Sequence, residues 1–123
     1  MKTFNPTAEH PARAVQAWQI LVGKAMNRQT VTYEGLSILM YEKEAAGVLA
    51  AILGHIAFYC IDNDIPPLTT LVVGKGPGKP GDRIPIDPVK IDEERERVYD
   101  RNWYDICPPS ESDLAAAYKR HHK

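Results

Sequence analysis

The chain has 123 residues, which is the size of one domain. Hydrophobic residues make up 44% and charged residues 25%, as is typical of a globular protein, so the composition excludes disorder as the main state. The formal net charge is −1, from 15 Lys and Arg and 16 Asp and Glu. This balance excludes a strongly basic nucleic-acid binder but leaves room for a basic patch on one face.

The sequence contains no pattern typical of a disulfide framework, a redox motif or a metal site. Cys60 and Cys107 are too few for a disulfide framework, and neither lies in a C-x-x-C motif. His121 and His122 stand near the C-terminus without a neighbouring cysteine, so they give no metal-ligand pattern. The longest apolar stretch, residues 47–60, is too short to cross a bilayer, and the first residues do not resemble a secretory signal. We expect a cytoplasmic protein with free thiols that uses no metal, cofactor or membrane.

The first half of the chain predicts three helices. Apolar residues at helical spacing indicate a first helix over residues 12–26. The β-branched stretch 30–32 follows, and the hydroxyl of Thr32 suits the N-cap of a second helix over 33–40. A third helix is predicted over 45–61. The expected core draws on these helices and the next strand: Trp18, Val22, Leu36, Val48, Leu49, Ile52, Leu53, Ile56, Leu71 and Val73.

Strand and turn signals come next. Residues 68–73 are rich in β-branched side chains and predict a strand. Residues 74–81 contain four glycines and two prolines, which indicates a turn-rich loop. Residues 84–86 are a candidate second strand, and their proline favours an edge position. Together these segments predict a short β-hairpin.

The last third of the chain is charge-dense. Residues 91–101 predict a helix whose alternating acids and bases are most simply a solvated, salt-bridged face. Two prolines then break the chain. Ser110 suits the N-cap of a closing helix over 114–120, which carries acids near its start and bases near its end, as the helix dipole favours.

The element order, a helix-turn-helix followed by a strand and a Gly-rich loop, is that of a winged helix. Residues 31–36 (Val-Thr-Tyr-Glu-Gly-Leu), 45–48 (Ala-Ala-Gly-Val) and 71–73 (Leu-Val-Val) stand in this frame. In order and spacing they resemble the C-terminal DNA-binding domain of the alkylguanine-DNA alkyltransferases and the alkyltransferase-like proteins. The resemblance extends from about residue 18 to residue 81, roughly half of the chain.

The resemblance implies a fold class and a domain organisation. We expect an α/β chain, mostly α, that forms a single winged-helix-like domain over residues 1–123. Its winged-helix core would span 12–86, with the β-hairpin as the wing. Residues 87–123 would form a C-terminal helical extension.

The catalytic residues of that family are not matched. Thr69 stands where the family carries its nucleophilic cysteine, and a hydroxyl cannot replace a thiolate. The adjacent histidine of the family has no counterpart, and Gly47 takes the place of its intercalating arginine. Tyr33 matches the tyrosine that, in the family, contacts and rotates the target phosphate. The resemblance therefore implies DNA binding without alkyl transfer and argues against base flipping.

Small residues on the third helix are the second candidate feature. They recur at spacings of three and four residues. In the family, such a recognition helix approaches the minor groove; equally, small residues allow close packing of another helix, from this chain or a second copy. The Gly-rich loop carries the cations Lys75, Lys79 and Arg83. They would bind phosphates if this surface contacts DNA; the alternative is an ordinary solvated loop. The candidate DNA-binding residues are Thr32, Tyr33, Gly47, Ala50, Ala51, Gly54, Lys75, Lys79 and Arg83.

No catalytic constellation stands out. The Gly-rich loop lacks the Ser or Thr that follows the lysine of a phosphate-binding loop. His55 is best explained as a surface or hydrogen-bonded histidine rather than a base. We therefore expect a non-enzymatic protein that binds double-stranded DNA. The alternative is a small protein-binding module, such as an inhibitor, an immunity protein or a phage-encoded factor, that uses the same frame to hold a protein partner or a second copy.

Overall fold

A computed structural model describes residues 1, 3–5, 7–43, 45–74 and 90–121, and only the backbone of residue 46. Helices dominate this part of the chain, as the sequence predicts. The five α-helices are α1 (His10–Met26), α2 (Tyr33–Tyr41), α3 (Leu49–Asp62), α4 (Ile91–Asp100) and α5 (Glu111–His121). Two short strands are β1 (Val31–Thr32) and β2 (Val72–Val73). Short 3-10 helices cover Ala46–Val48, Leu68–Leu71 and Trp103–Asp105.

The strands β1 and β2 form a two-stranded parallel sheet. Val31 pairs with Val72, and Thr32 pairs with Val73. The pairing joins the start of α2 to the chain that follows α3, so it fixes both helices from one point. The predicted β-hairpin combines residues 68–73 with the loop 74–81 and a second strand over 84–86; apart from residue 74, the loop and the second strand lie outside the described residues.

The segment 68–73 is mainly not a strand, contrary to the prediction. Leu68–Leu71 form a 3-10 turn, and strand geometry begins only at Val72. The Thr70 amide and the Thr70 hydroxyl both donate hydrogen bonds to the Pro67 carbonyl, each at 3.0 Å. This local bonding offers the backbone an alternative to a sheet ladder, and it outweighs the β propensity of the side chains.

The predicted helix ends are close to the observed ones, and the differences have local causes. The helix α1 begins at His10 rather than residue 12, because a proline is tolerated in the first helical turn. The helix α3 begins at Leu49 rather than residue 45, after a 3-10 turn that contains Gly47, a poor helix former. The helix α5 begins at Glu111 rather than Leu114.

Both predicted N-caps are confirmed. Thr32 Oγ1 accepts a hydrogen bond from the Gly35 amide at 2.9 Å. At α5, Ser110 Oγ accepts from the Asp113 amide at 3.1 Å, and the Asp113 carboxylate accepts from the Ser110 amide at 3.0 Å. This reciprocal arrangement satisfies two backbone donors that the helix itself leaves unpaired.

The core lies where α3 packs between α1 and α5. Nine of the ten predicted core residues are buried: Trp18, Val22, Leu36, Leu49, Ile52, Leu53, Ile56, Leu71 and Val73. The prediction for Val48 is wrong, since this side chain is 43% exposed. Val48 belongs to the 3-10 turn, so the helical spacing that would direct it inward does not extend to it.

The C-terminal third belongs to the same core. Val98, Trp103 and Leu114 are buried in the cluster that α1 and α3 form. The Trp103 ring lies edge-on to Trp18 at 5.7 Å, and its indole N–H donates to the Val98 carbonyl at 2.7 Å. On α4, Arg95 Nε donates to the Thr70 carbonyl at 3.0 Å, which ties this charged helix to the turn before β2.

Truncation of Leu53 tests the core assignment. Leu53 is 2% exposed, and we expect Leu53→Ala to lower the free energy of unfolding by ~2–5 kcal/mol, since it removes buried methyl groups and leaves a cavity. The control is Leu39→Ala, because Leu39 is 53% exposed and should cost less than ~0.5 kcal/mol. Equilibrium unfolding in urea measures both. Equal effects would contradict the placement of α3.

Candidate nucleic-acid interface

The start of α2 is fixed by a tight local structure. Thr32 is exposed and Tyr33 is half-buried. A Cβ atom at Gly35 would lie 3.0 Å from the Thr32 hydroxyl oxygen and 3.3 Å from a Val31 methyl carbon. A side chain at this position would crowd the cap, so Gly35 lets the Thr32 cap close without displacing its neighbours. Sequence reasoning missed this role, although a glycine three residues after an N-cap threonine was a visible signal.

The stripe of small residues, which begins in the turn before α3 and continues on α3, is divided between two environments. Gly47 is exposed, and a Cβ atom there would meet nothing within 4 Å among the described residues. Ala50 and Ala51 are half-buried. A Cβ atom at Gly54 would lie 3.0 Å from the Tyr118 ring. The Gly47 end of the stripe is thus open, and the Gly54 end packs beneath α5.

Gly54 accordingly lies against α5, as the helix-packing alternative expects, and its contact with DNA stays a prediction. Tyr118 stacks on His55 with ring centroids 4.1 Å apart and an interplanar angle of 8°. The same ring lies 6.0 Å from Phe58. Tyr118 was not singled out in the sequence, because no local pattern shows that the closing helix returns to α3.

The three wing cations, Lys75, Lys79 and Arg83, lie outside the described residues. Two arginines that the structure does describe are engaged within the protein. Arg13 is buried, donates to Gln16 and to the Met40 carbonyl, and lies 4.3 Å from the Tyr41 ring centroid. Arg28 pairs with Glu96 at 2.8 Å. Lys43 is exposed in the turn between α2 and α3.

Exposed apolar side chains lie on α2 and on the turn before α3. Ile38 and Leu39 on α2 are 46% and 53% exposed, and Val48 belongs to the turn that packs against α2. Leu39 also lines an open groove of about 810 Å³ with Phe4 and Tyr41. Such a surface is more typical of protein contacts than of phosphate contacts.

Two side chains considered as candidate nucleophiles, Thr69 and Cys60, are buried. Thr69 is fully buried, and its hydroxyl oxygen has no hydrogen-bond partner among the described residues. Cys60 is 1% exposed, and burial raises the pKa of its thiol to about 12. The thiolate, which is the reactive form of cysteine, is therefore strongly disfavoured at Cys60 at neutral pH.

His55 is engaged in internal bonding, as predicted. It is buried, and its Nδ1 lies 2.7 Å from the Ala51 carbonyl oxygen, which can only accept. Nδ1 therefore carries a proton. In the described part of the chain, no three His, Cys, Asp or Glu side chains are grouped to hold a metal ion. Nor does that part contain a helix with the length and apolar character needed to span a membrane.

A pair of glycine substitutions tests the division of the stripe. Tyr118 is confined between His55 and Phe58, so we expect Gly54→Ala to destabilise the fold by ~1 kcal/mol through overpacking. This sign is opposite to the gain of up to ~1 kcal/mol that Gly→Ala usually gives inside a helix. Gly47→Ala, in open space, should change stability by less than ~0.5 kcal/mol. Thermal unfolding of both variants decides; stabilisation by Gly54→Ala would show that α5 does not press on this position.

The chain was compared with protein-family models, with curated proteins and with solved structures. None of the three comparisons finds a match.

Proposed function

We propose that this protein binds double-stranded DNA without catalysing a reaction. The interface consists of Thr32 and Tyr33 at the start of α2, the open end of the α3 stripe, and the cations of the Gly-rich loop. Its members are Thr32, Tyr33, Gly47, Ala50, Ala51, Lys75, Lys79 and Arg83.

The observation that carries the proposal is the open turn before α3 beside the capped start of α2. Among the described residues, nothing lies within 4 Å of a Cβ atom at Gly47, in the turn before α3. Ala50 and Ala51 on α3 project only methyl groups, so the backbone here can approach a partner closely. The turn Ala46–Val48 packs against α2, which keeps the two helices in one unit. A helix-turn-helix with a small-residue surface can lie against a sugar-phosphate backbone, where contacts position the protein without reading bases.

The burial of the two candidate nucleophiles, Thr69 and Cys60, supports a role without catalysis. Thr69, which the resemblance to the alkyltransferases places at the position of their nucleophile, is enclosed by the core. Cys60 is enclosed as well, with its thiol pKa raised by burial. Neither side chain is presented on the surface where a DNA strand would lie.

A second candidate function, a protein-binding module, is supported by a different observation. Ile38, Leu39 and Val48 place exposed apolar area on the same helix-turn-helix. Phosphates do not favour such area, whereas a protein partner buries it with a gain of free energy. The two candidates differ in their dependence on salt, because counterion release accompanies only phosphate binding.

The salt dependence of duplex binding tests the first candidate. We expect weak binding that falls with salt, with a log–log slope no steeper than roughly −3 to −4, because at most three or four cations face the DNA. Lys75→Ala combined with Lys79→Ala should flatten the slope by about two units and weaken binding to all sequences alike. Electrophoretic shift assays at several ionic strengths measure this. The matched control is Lys24→Ala combined with Lys119→Ala, which removes the same charge from α1 and α5.

Two results would reject DNA binding. One is that the control double variant changes the salt slope and the affinity as much as the Lys75→Ala, Lys79→Ala double variant does. The other is the absence of binding to both duplex and single-stranded DNA at micromolar protein and low salt. In the second case the protein-binding module replaces the first proposal, and Leu39→Asp is the variant with which to test a candidate partner.

Exposure to alkylguanine DNA tests the absence of alkyl transfer. We expect no stoichiometric mass increase on Cys60 or Cys107, because the first thiol is buried and protonated and the resemblance places Thr69, not a cysteine, at the nucleophile position of the alkyltransferases. Intact-protein mass spectrometry followed by peptide mapping measures the adduct. Iodoacetamide serves as the control reagent, since it should modify the exposed Cys107 and not Cys60. Stoichiometric transfer of the alkyl group to either thiol would overturn the non-enzymatic assignment.

A further inference from the structure

The outer face of α2 has an apolar centre. Ile38 and Leu39 are adjacent in the second half of the helix and are both about half exposed, whereas Leu36 and Met40 point the other way and are buried. Val48, in the turn that packs against α2, is a third exposed apolar side chain. Removing such side chains from water is favourable, so this face suits a partner whose own surface is apolar.

Charged residues of opposite sign flank this apolar centre at its two ends. Glu34, in the first turn of α2, precedes Ile38 by four residues, and Lys43 follows Leu39 by four residues, just beyond the helix end. The pattern is therefore symmetric about the point between Ile38 and Leu39, except that the charge changes sign. When two copies of such a helix pack antiparallel about a two-fold axis through this point, each Glu34 comes next to the partner's Lys43.

The charges favour the antiparallel arrangement over a parallel one. A parallel pair would bring the two Glu34 side chains together and the two Lys43 side chains together, and like charges repel. In the antiparallel pair, Glu42 at the C-cap of one α2 lies near the N-terminus of the partner's α2, where the helix dipole stabilises an acid. The partner's Ile38 meets Leu39, which lines the open groove of about 810 Å³, so the groove offers space for the incoming side chain.

We propose that the outer face of α2 binds the same face of a second copy of this chain, with the two helices antiparallel and the two-fold axis between Ile38 and Leu39. The inference rests on the second candidate function, the protein-binding module, and names its partner. Three half-exposed apolar side chains per copy supply much less than the ~800 Å² per partner of a standard interface. The dimer is therefore weak, and its formation depends on the protein concentration.

Sedimentation velocity in the absence of DNA tests the association. Between about 10 µM and about 500 µM protein, the average mass should rise above the 13.8 kDa of the monomer, as expected for a small interface. Leu39→Asp places a charge beside the two-fold axis in both copies and should weaken dimerisation by about tenfold or more. The matched control is Ile61→Asp, because Ile61 is equally exposed and belongs to the last turn of α3. This control should dimerise as the unmodified chain does.

An exchange of charges tests the antiparallel register. Lys43→Glu brings two acids together and should weaken dimerisation by about three- to thirtyfold, because the two-fold axis repeats the change. Adding Glu34→Lys to the same chain brings opposite charges together again and should recover most of the loss. Lys119→Glu is the control for net charge, since Lys119 is exposed on α5, and it should have little effect. Circular dichroism verifies that each variant is folded.

Three results would overturn the proposal: a monomer at the highest concentration, equal weakening by Leu39→Asp and Ile61→Asp, or no effect of Lys43→Glu beyond that of Lys119→Glu. Lys43 is exposed outside the helix, so the last result is decisive even if Glu34→Lys disturbs the start of α2. A monomer refutes only the second copy as the partner. The protein-binding module is tested separately, with Leu39→Asp against a candidate partner, and DNA binding is tested by its salt dependence.

Discussion

The structure depends on the burial of α3 from two sides. This helix is apolar around most of its circumference, and such a helix is stable in water only when more than one neighbour covers it. The helix α1 covers one side with the face that carries Trp18, Leu21 and Val22, and α5 covers another with Leu114 and Ala117. Within the described part of the chain, the turn before α3 stays exposed at Gly47 and Val48, and this restriction determines which residues near α3 are available to a partner.

The sequence predicted this arrangement as far as local signals extend. Helical periodicity located α1 and α2 to within two residues, and hydroxyl side chains located the caps at Thr32 and Ser110. The prediction of a strand over 68–73 was wrong, because β propensity does not show that a local hydrogen bond competes with strand pairing. The Thr70 hydroxyl turns back to the Pro67 carbonyl, and a segment rich in β-branched residues becomes a 3-10 turn.

The candidate site was predictable only in part, because its limits are set by tertiary contacts. Spacing alone identified the small residues of α3, but the return of Tyr118 onto Gly54 depends on packing between residues distant in the chain. The exposure of Ile38 and Leu39 was equally hidden, since an apolar residue on a short helix gives no sign of its neighbours. The charge of the chain, in contrast, can be read from the sequence without the structure. A net charge of −1 limits any interaction with phosphates to a few local cations.

The edge-on pair of Trp18 and Trp103 gives the protein an internal optical reporter. Both indoles are buried, at 3% and 2% exposure, and their rings are 5.7 Å apart although they belong to the first helix and the C-terminal third. Two indoles at this distance couple their electronic transitions, and the coupling exists only after both ends of the chain have met. Near-ultraviolet circular dichroism therefore distinguishes two states of the protein. In the native state Trp103 packs against Trp18; in the other the helices have formed but the C-terminal third has not yet docked.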